Sequence, residues 1–173
     1  MRDNSDELFP VVDDEGRVLG SMTRGEAHGG CRVLHPVVHL HVYDGSGRLF
    51  LQRRPLWKDI QPGRWDTAVG GHVAYGESVG EALRREAGEE LGLRSFDAVF
   101  VVRYVYDSGV ERELVNVFRT VTDGPVTPDK HELDGGRFWT VAEIEAGMGR
   151  DIFTPNFEYE YSRYLASSIS PVI

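Results

Sequence analysis

A mixed α+β or α/β architecture follows from three observations. Three pairs of alternating, β-branched segments flank short turns rich in Gly and Asp. Two helical stretches open on a Ser/Thr-x-x-Glu signature, and a third opens on Thr-Pro. The first pair spans Phe9–Thr23 around Asp13-Asp14-Glu15-Gly16, and this hairpin forms an N-terminal extension over residues 1–30. Arg24 to Arg32 reads as irregular, with a turn at Gly29-Gly30. Val37–Tyr43 and Leu49–Arg54 flank Asp44-Gly45-Ser46-Gly47, and Trp65–Val69 reads as a short strand ending in a Gly70-Gly71 loop. Ala98–Tyr106 and Glu111–Val121 flank Asp107-Ser108-Gly109 as the third hairpin.

Ser78 and Glu81 cap the first helix, where Val79, Ala82, Leu83 and Ala87 recur at helical spacing and Gly92 supplies the stop. Thr140 and Glu143 cap a short helix over Val141–Met148. Behind Thr154-Pro155, the residues Phe157, Tyr161, Tyr164 and Leu165 make one apolar face.

Composition bounds the function. The 173 residues show no repeat or low-complexity linker, so a single domain over 1–173 is expected. Twenty-eight acidic side chains against nineteen basic ones give a net charge of −9, which disfavours a nucleic-acid duplex as partner. A small phosphorylated ligand stays compatible, because bound cations screen it from the acidic surface. No apolar run approaches the roughly 20 residues of a membrane span, and the acidic stretch Met1–Glu7 resembles neither a secretory nor a transit signal. The lone Cys31 excludes an internal disulfide and a Cys-based zinc cluster, which points to a reducing, cytoplasmic setting. The sequence leaves open whether the chain forms a homodimer.

The chemistry concentrates in Gly71–Leu93. Glu86, Glu89 and Glu90 stand at i, i+3 and i+4, so their carboxylates project from one side of the helix. Such repulsion is offset naturally by a hard divalent cation such as Mg²⁺, which takes oxygen ligands. Gly70 and Gly71 carry no Cβ and leave room for a backbone carbonyl to approach the same ion. Gly88 within the helix predicts close packing or function, since it costs about 1 kcal/mol relative to alanine. An ion pair between Glu77 and Arg85 is compatible with their spacing.

Gly71, Glu77, Arg85, Glu86, Ala87, Glu89, Glu90, Gly92 and Leu93 match every defined position of the Nudix box, G-x5-E-x7-R-E-U-x-E-E-x-G-U, over residues 71–93. The chain thus resembles the Nudix superfamily. That resemblance implies an α/β/α sandwich with a mixed sheet. It implies Mg²⁺ or Mn²⁺ held by Glu86, Glu89, Glu90 and the Gly70 carbonyl, with these glutamates as the catalytic group. It also implies a structural Glu77–Arg85 ion pair, and hydrolysis of a small diphosphate, typically a nucleoside diphosphate derivative. The family itself differs over which glutamate is the general base.

The surrounding sequence also resembles the branch that includes isopentenyl-diphosphate isomerase. There a metal is held by three histidines and two glutamates, and the matching positions are His28, His35, His72, Glu111 and Glu113. That enzyme's catalytic cysteine corresponds to Gly70, so half of its acid–base pair is missing, while the Nudix box is intact. Hydrolysis is therefore favoured over isomerisation. A non-catalytic nucleotide-binding regulator is disfavoured by the complete set of glutamates.

Other positions are weaker. His39 and His41 alternate on a strand and read as a partly exposed sheet surface, and Glu132 in a loop is a candidate late metal ligand. Arg53, Arg54, Lys58 and Arg64 cluster before the box, the three arginines being candidates for phosphate binding. Trp57, Trp65, Tyr104 and Phe118 offer aromatic surface for a substrate or for the core.

Overall fold

The computed structural model describes residues 4–58 and 60–166, so the start of the acidic N-terminal stretch, residues 1–3, lies outside the described residues. The Asp13–Gly16 turn joins β1 (Leu8–Val12) and β2 (Val18–Thr23) as an antiparallel pair that forms its own two-stranded sheet. The stretch expected to be irregular instead opens with α1 (Arg24–His28). Thr23 and Glu26 close a reciprocal capping box around it, and this stabilises even a helix of five residues.

β3 (Leu34–Tyr43) runs through the middle of the seven-stranded sheet. β4 (Leu49–Arg53) returns beside its end, and β5 (Trp65–Thr67) pairs antiparallel with β4. The single strand expected at Trp65–Val69 is two. The chain breaks at Ala68, and β6 (Val69–His72) crosses to pair with β3. Gly70 and Gly71 therefore lie in a strand rather than a loop, opposite His39 and Val38.

The helix α2 (Val79–Leu91) has the expected Ser78–Glu81 capping box and ends on Gly92 at φ 68°, the left-handed conformation that glycine takes without strain. The hairpin β7 (Val99–Asp107) and β8 (Arg112–Val121) follows, and β8 lies parallel to β3 over ten residue pairs. β9 (Gly136–Trp139), which has no clear sequence signal, pairs with β4. α3 (Val141–Gly147) and α4 (Pro155–Glu160) complete the described residues, with a π-helical turn over Tyr161–Leu165.

The alternation along β3 separates two cores. Val38, Leu40 and Val42 pack on Ala82, Leu83, Ala87 and Leu91 of α2. On the opposite face Val37 meets Tyr104, Val115 and Val117, with Tyr159 and Tyr164 over them. Leu49, Leu51 and Trp139 pack there against Ile144, Phe157, Tyr161 and Leu165 of the C-terminal helices. Helices on both faces of a mixed sheet make the expected α/β/α sandwich. Leu83 and Leu91 are both fully buried, and truncating either to alanine would cost about 2–5 kcal/mol. The box helix is thus fixed by its apolar face, which leaves its carboxylate face available for chemistry.

Candidate functional site

Gly71 and α2 together place the first carboxylates. A Cβ on Gly71 would overlap the Glu86 carboxyl group, so the glycine leaves the space that Glu86 occupies. Arg85 then fastens the loop to the helix. Its Nε and Nη2 donate to the two Glu77 carboxylate oxygens at 2.9 Å each, and Nη2 also donates to the His72 carbonyl at 3.0 Å. Nη1 reaches Glu86 at 2.7 Å and Glu89 at 3.4 Å. The ion pair is therefore bidentate, the geometry in which guanidinium and carboxylate bind best. Glu77 is held below the usual carboxylate range: burial alone would raise it, but Arg85 and the Ala74 amide outweigh that.

Glu90 lies one turn beyond Glu86. Its Oε2 accepts from the Gly70 amide at 3.3 Å and from Gln52 Nε2 at 3.4 Å. Burial, with Glu86 beside it, pushes the Glu90 carboxyl well above its ordinary range, and burial also raises Glu86. Two carboxylates that resist ionising together make a site a divalent cation would relieve. Glu89 does not join them; it is exposed at the rim beside Arg85. Asp129 N–H donates to the Glu90 carbonyl at 2.8 Å, and this folds the following loop back until the Glu132 charge acts on Glu90. A Cβ on Gly88 would meet the Leu93 carbonyl oxygen at an ordinary 3.9 Å, so close packing does not explain this glycine.

The histidine-rich set assembles on the other face of the sheet. The parallel register sets His35 beside Glu113, and His72 ends β6 opposite Val37. One ligand atom from each of His35, His72 and Glu113 lies within 4.8 Å of the others. His35 Nδ1 donates to the Val33 carbonyl at 3.1 Å, and since a carbonyl only accepts, Nε2 is left with its lone pair. The Nε2 atoms of His35 and His72 are both buried without a hydrogen-bond partner. Burial holds both imidazoles below their ordinary range, hence neutral, and pushes Glu113 up to about 7. Orphaned imidazole nitrogens beside a carboxylate suit a borderline transition metal better than Mg²⁺. His28 and Glu111 flank this trio as a pair of their own, with Nδ1 to Oε1 at 2.9 Å. Phe9 of the N-terminal hairpin stacks on His72 at 4.5 Å between ring centres, and closes the cluster from above.

His39 and His41 share one face as their spacing predicts, but that face is not exposed. Both are buried against α4, where Glu160 accepts from His39 Nδ1 at 2.9 Å with one oxygen and bonds His41 Nε2 with the other. The Tyr104 hydroxyl donates to the same carboxylate. Burial disfavours charge on His39, yet Glu160 overrides it and pushes the imidazole up to about 9. Burial likewise opposes charge on Glu160, and the two histidines hold it well below the carboxylate range. Glu160 was hidden in the sequence inside an apolar helical face, and its only signal is a charge where that face predicts a core residue.

The arginines before the box have local duties. Arg54 donates to the Ile60 carbonyl at 3.1 and 2.9 Å, and Arg64 donates to the Phe153 carbonyl at 3.2 Å and to Asp151 at 3.0 Å. Arg53 reaches Gly63 at 3.4 Å and is half-exposed. Trp57 is exposed, Trp65 packs edge-on against Trp139, Phe118 lies against the α2 core, and Tyr104 belongs to the Glu160 network.

Comparison with known proteins bears on the family and the fold. The family model described as NUDIX domain matches residues 33–157. An uncharacterised Nudix hydrolase of Streptomyces coelicolor is 34% identical over 169 residues, covering 96% of this chain and 92% of that protein. An isopentenyl-diphosphate Delta-isomerase of Mycolicibacterium vanbaalenii is 35% identical over 133 residues, covering 73% of this chain and 74% of its own. A crystal structure from Deinococcus radiodurans superposes with a TM-score of 0.79 at 22% identity, covering 91% of this chain and 98% of that one.

Proposed function

The chain belongs to the Nudix hydrolase family, and from that premise we propose that it cleaves the diphosphate linkage of a nucleoside diphosphate derivative with the help of Mg²⁺ or Mn²⁺. The observation that carries this reading is the convergence of Glu86 and Glu90 beside the bare backbone of Gly70 and Gly71. Glu86, Glu90 and the Gly70 carbonyl would hold the cation, with Glu89 and Glu132 able to swing in from the rim. When bound, the cation neutralises charge on the diphosphate and acidifies the attacking water. Arg85 anchors Glu86 and ties the loop to the helix through Glu77, so that the carboxylates keep their aim. One of these carboxylates takes the proton of the water as it attacks phosphorus in line with the departing phosphate. Arg53, half-exposed at the end of β4, is the arginine of the three best placed to meet the substrate's phosphates, while Arg54 and Arg64 brace the loop that follows it. The reaction takes place in the cytoplasm on a small molecule. A panel of nucleoside diphosphate derivatives and isoprenoid diphosphates, assayed for hydrolysis with Mg²⁺, tests the proposal. Hydrolysis should vanish in chelator and return with Mg²⁺ or Mn²⁺; full activity after exhaustive chelation would remove the mechanism.

The buried, unpartnered nitrogens of His35 and His72 favour a second reading of part of the molecule, a separate site for Zn²⁺, Mn²⁺ or Fe. Occupancy would not make the chain an isomerase. Moving a double bond needs one group to deliver a proton and another to remove one. Glu113 offers one such group, whereas Gly70 has no side chain to offer the other. No deuterium should enter isopentenyl diphosphate incubated with the protein and metal in deuterated water, as read by mass spectrometry; incorporation would promote the isomerase.

A further inference from the structure

Gln52 is a buried polar side chain to which the hydrolase reading gives no task. On β4 it follows Phe50 by two positions and so shares its face of the sheet, where Phe50, Val38, Leu40 and Ala68 pack as hydrocarbon. Gln52 is only 7% exposed, and an amide buried there costs free energy unless it is hydrogen-bonded. Its Nε2 finds two acceptors. One is the Ala68 carbonyl at 3.5 Å, where the chain breaks between β5 and β6. The other is Glu90 Oε2 at 3.4 Å. The carbonyl can only accept, and Oε2 already accepts from Gly70, so the amide turns its nitrogen and not its oxygen to this pair.

The Gly70 amide meets that same Oε2 at 3.3 Å. Donors from two strands, β4 and β6, therefore converge on one oxygen of a carboxylate that α2 supplies. Among the described residues Oε1 makes no hydrogen bond, and Glu90 keeps some exposure. One oxygen is engaged by the protein and the other is left for a ligand. Arg85 treats Glu86 in the same way, since Nη1 donates to its Oε1 at 2.7 Å. Gln52 is neutral, so it orients the carboxylate without cancelling the charge that a cation needs. The next basic side chains, Arg53 and Arg54, point elsewhere, to the Gly63 and Ile60 carbonyls.

We propose that Gln52 is a positioning residue that fixes which oxygen Glu90 offers to the divalent cation, and with it the preference of the site for Mg²⁺ over Ca²⁺. This rests on the hydrolase reading for the presence of the cation. Mg²⁺ demands a near-ideal octahedron, whereas Ca²⁺ accepts about six to eight oxygens and readily takes both from one carboxylate. Holding Oε2 on Gln52 and Gly70 permits the first mode and hinders the second. Gln52 touches neither water nor phosphate in this role; it acts through Glu90.

Mg²⁺ and Ca²⁺, each titrated alone into the metal-free chain, are the probes, and calorimetry reads the two affinities. The wild type should bind Mg²⁺ saturably. Gln52→Met fills the same space but donates nothing. It should lower the ratio of Mg²⁺ to Ca²⁺ affinity by about tenfold, the scale on which a lost partner of a ligating carboxylate is felt. An amide needed only by the Ala68 carbonyl would change both affinities alike; a ratio within about threefold of wild type therefore overturns the proposal. A second measurement needs no variant. The ¹H and ¹⁵N resonances of the Gln52 side-chain amide should move with Mg²⁺ and level off as binding saturates. Resonances unmoved at saturation overturn the proposal even where Gln52→Met does not fold. Absence of Mg²⁺ binding removes the role of Gln52 and the hydrolase reading together. Saturable binding with an unchanged ratio removes the role of Gln52 alone. A shifted ratio in a chain that hydrolyses nothing in the substrate panel upholds that role and removes the hydrolase reading alone.

Discussion

A carboxyl group that is buried beside a second carboxyl prefers to keep its proton, and Glu90 is in that position. Because its folded range lies above the unfolded value of 4.5, the metal-free fold loses stability as pH rises beyond that value. Glu90→Gln should therefore raise the melting temperature in chelator at pH 7, an advantage that fades below about pH 4.5, while turnover with Mg²⁺ falls by about two orders of magnitude. Thermal melts across pH and steady-state rates check both halves; wild-type turnover would remove Glu90 from the site. Gly71→Ala should act through Glu86, since the new methyl claims the place of its carboxyl group. A loss of tenfold or more in kcat with the fold retained is expected, measured beside circular dichroism. At this scale the spacing of the glutamates was legible, and so was their side of the helix. What spacing could not show is that Glu89 stays exposed at the rim while Glu86, held by Arg85, and Glu90 turn inward.

Elements announce themselves by their ends more clearly than by their neighbours. The capping boxes at Ser78 and Thr140 and the Thr154-Pro155 start are all present where the sequence places them. The same signature at Thr23-Arg24-Gly25-Glu26 marks α1, but a five-residue helix has too little periodicity to be noticed. β9 has four residues and β6 contains two glycines, so neither carries the alternation that reveals a strand. The alternation of His39 and His41 showed their common face, yet not that α4 covers it, because Glu160 is 121 residues from His39. That pairing makes α4 a pH-sensitive element. His39 is raised from 6.5 to about 9, so its contribution is whole below about pH 6.5 and lost as pH rises through 9. Glu160 is lowered from 4.5, so its contribution is whole above that value and lost on acidification. The pair stabilises most between roughly pH 4.5 and 6.5. Glu160→Gln should cost about 3–5 kcal/mol there, the scale of breaking a buried ion pair, and the difference from wild type should shrink by pH 10. Denaturant unfolding at several pH values would show it, and a pH-independent difference would contradict the assignment.

At the scale of the whole molecule the N-terminal hairpin acts as a cover rather than an appendage. Phe9 is fully buried, packs with Met22 and Ala27, and stacks on His72, while the Arg103 guanidinium donates to the Glu15 carbonyl at 2.9 Å. Phe9→Ala should destabilise by about 3–5 kcal/mol, about 10 °C in melting temperature. It should also admit solvent to the His35–His72–Glu113 cluster, which faster exchange of bound Zn²⁺ or Mn²⁺ would report. The layers of the sandwich followed from the resemblance and from the mix of hairpins and helices. The strand order did not, because the parallel union of β3 with β8 joins segments about seventy residues apart, beyond the reach of any local pattern. That union has a consequence in time. Closing so long a loop carries an entropic cost that local hairpins avoid, which slows the step that makes it. His35 and Glu113 meet only when that step is complete, since each comes from one side of the closure. During refolding from denaturant, the hairpins and α2 should therefore gather first, and competence to capture a transition metal should emerge in the slowest phase. The buried histidine cluster then serves as the molecule's own clock for the end of folding.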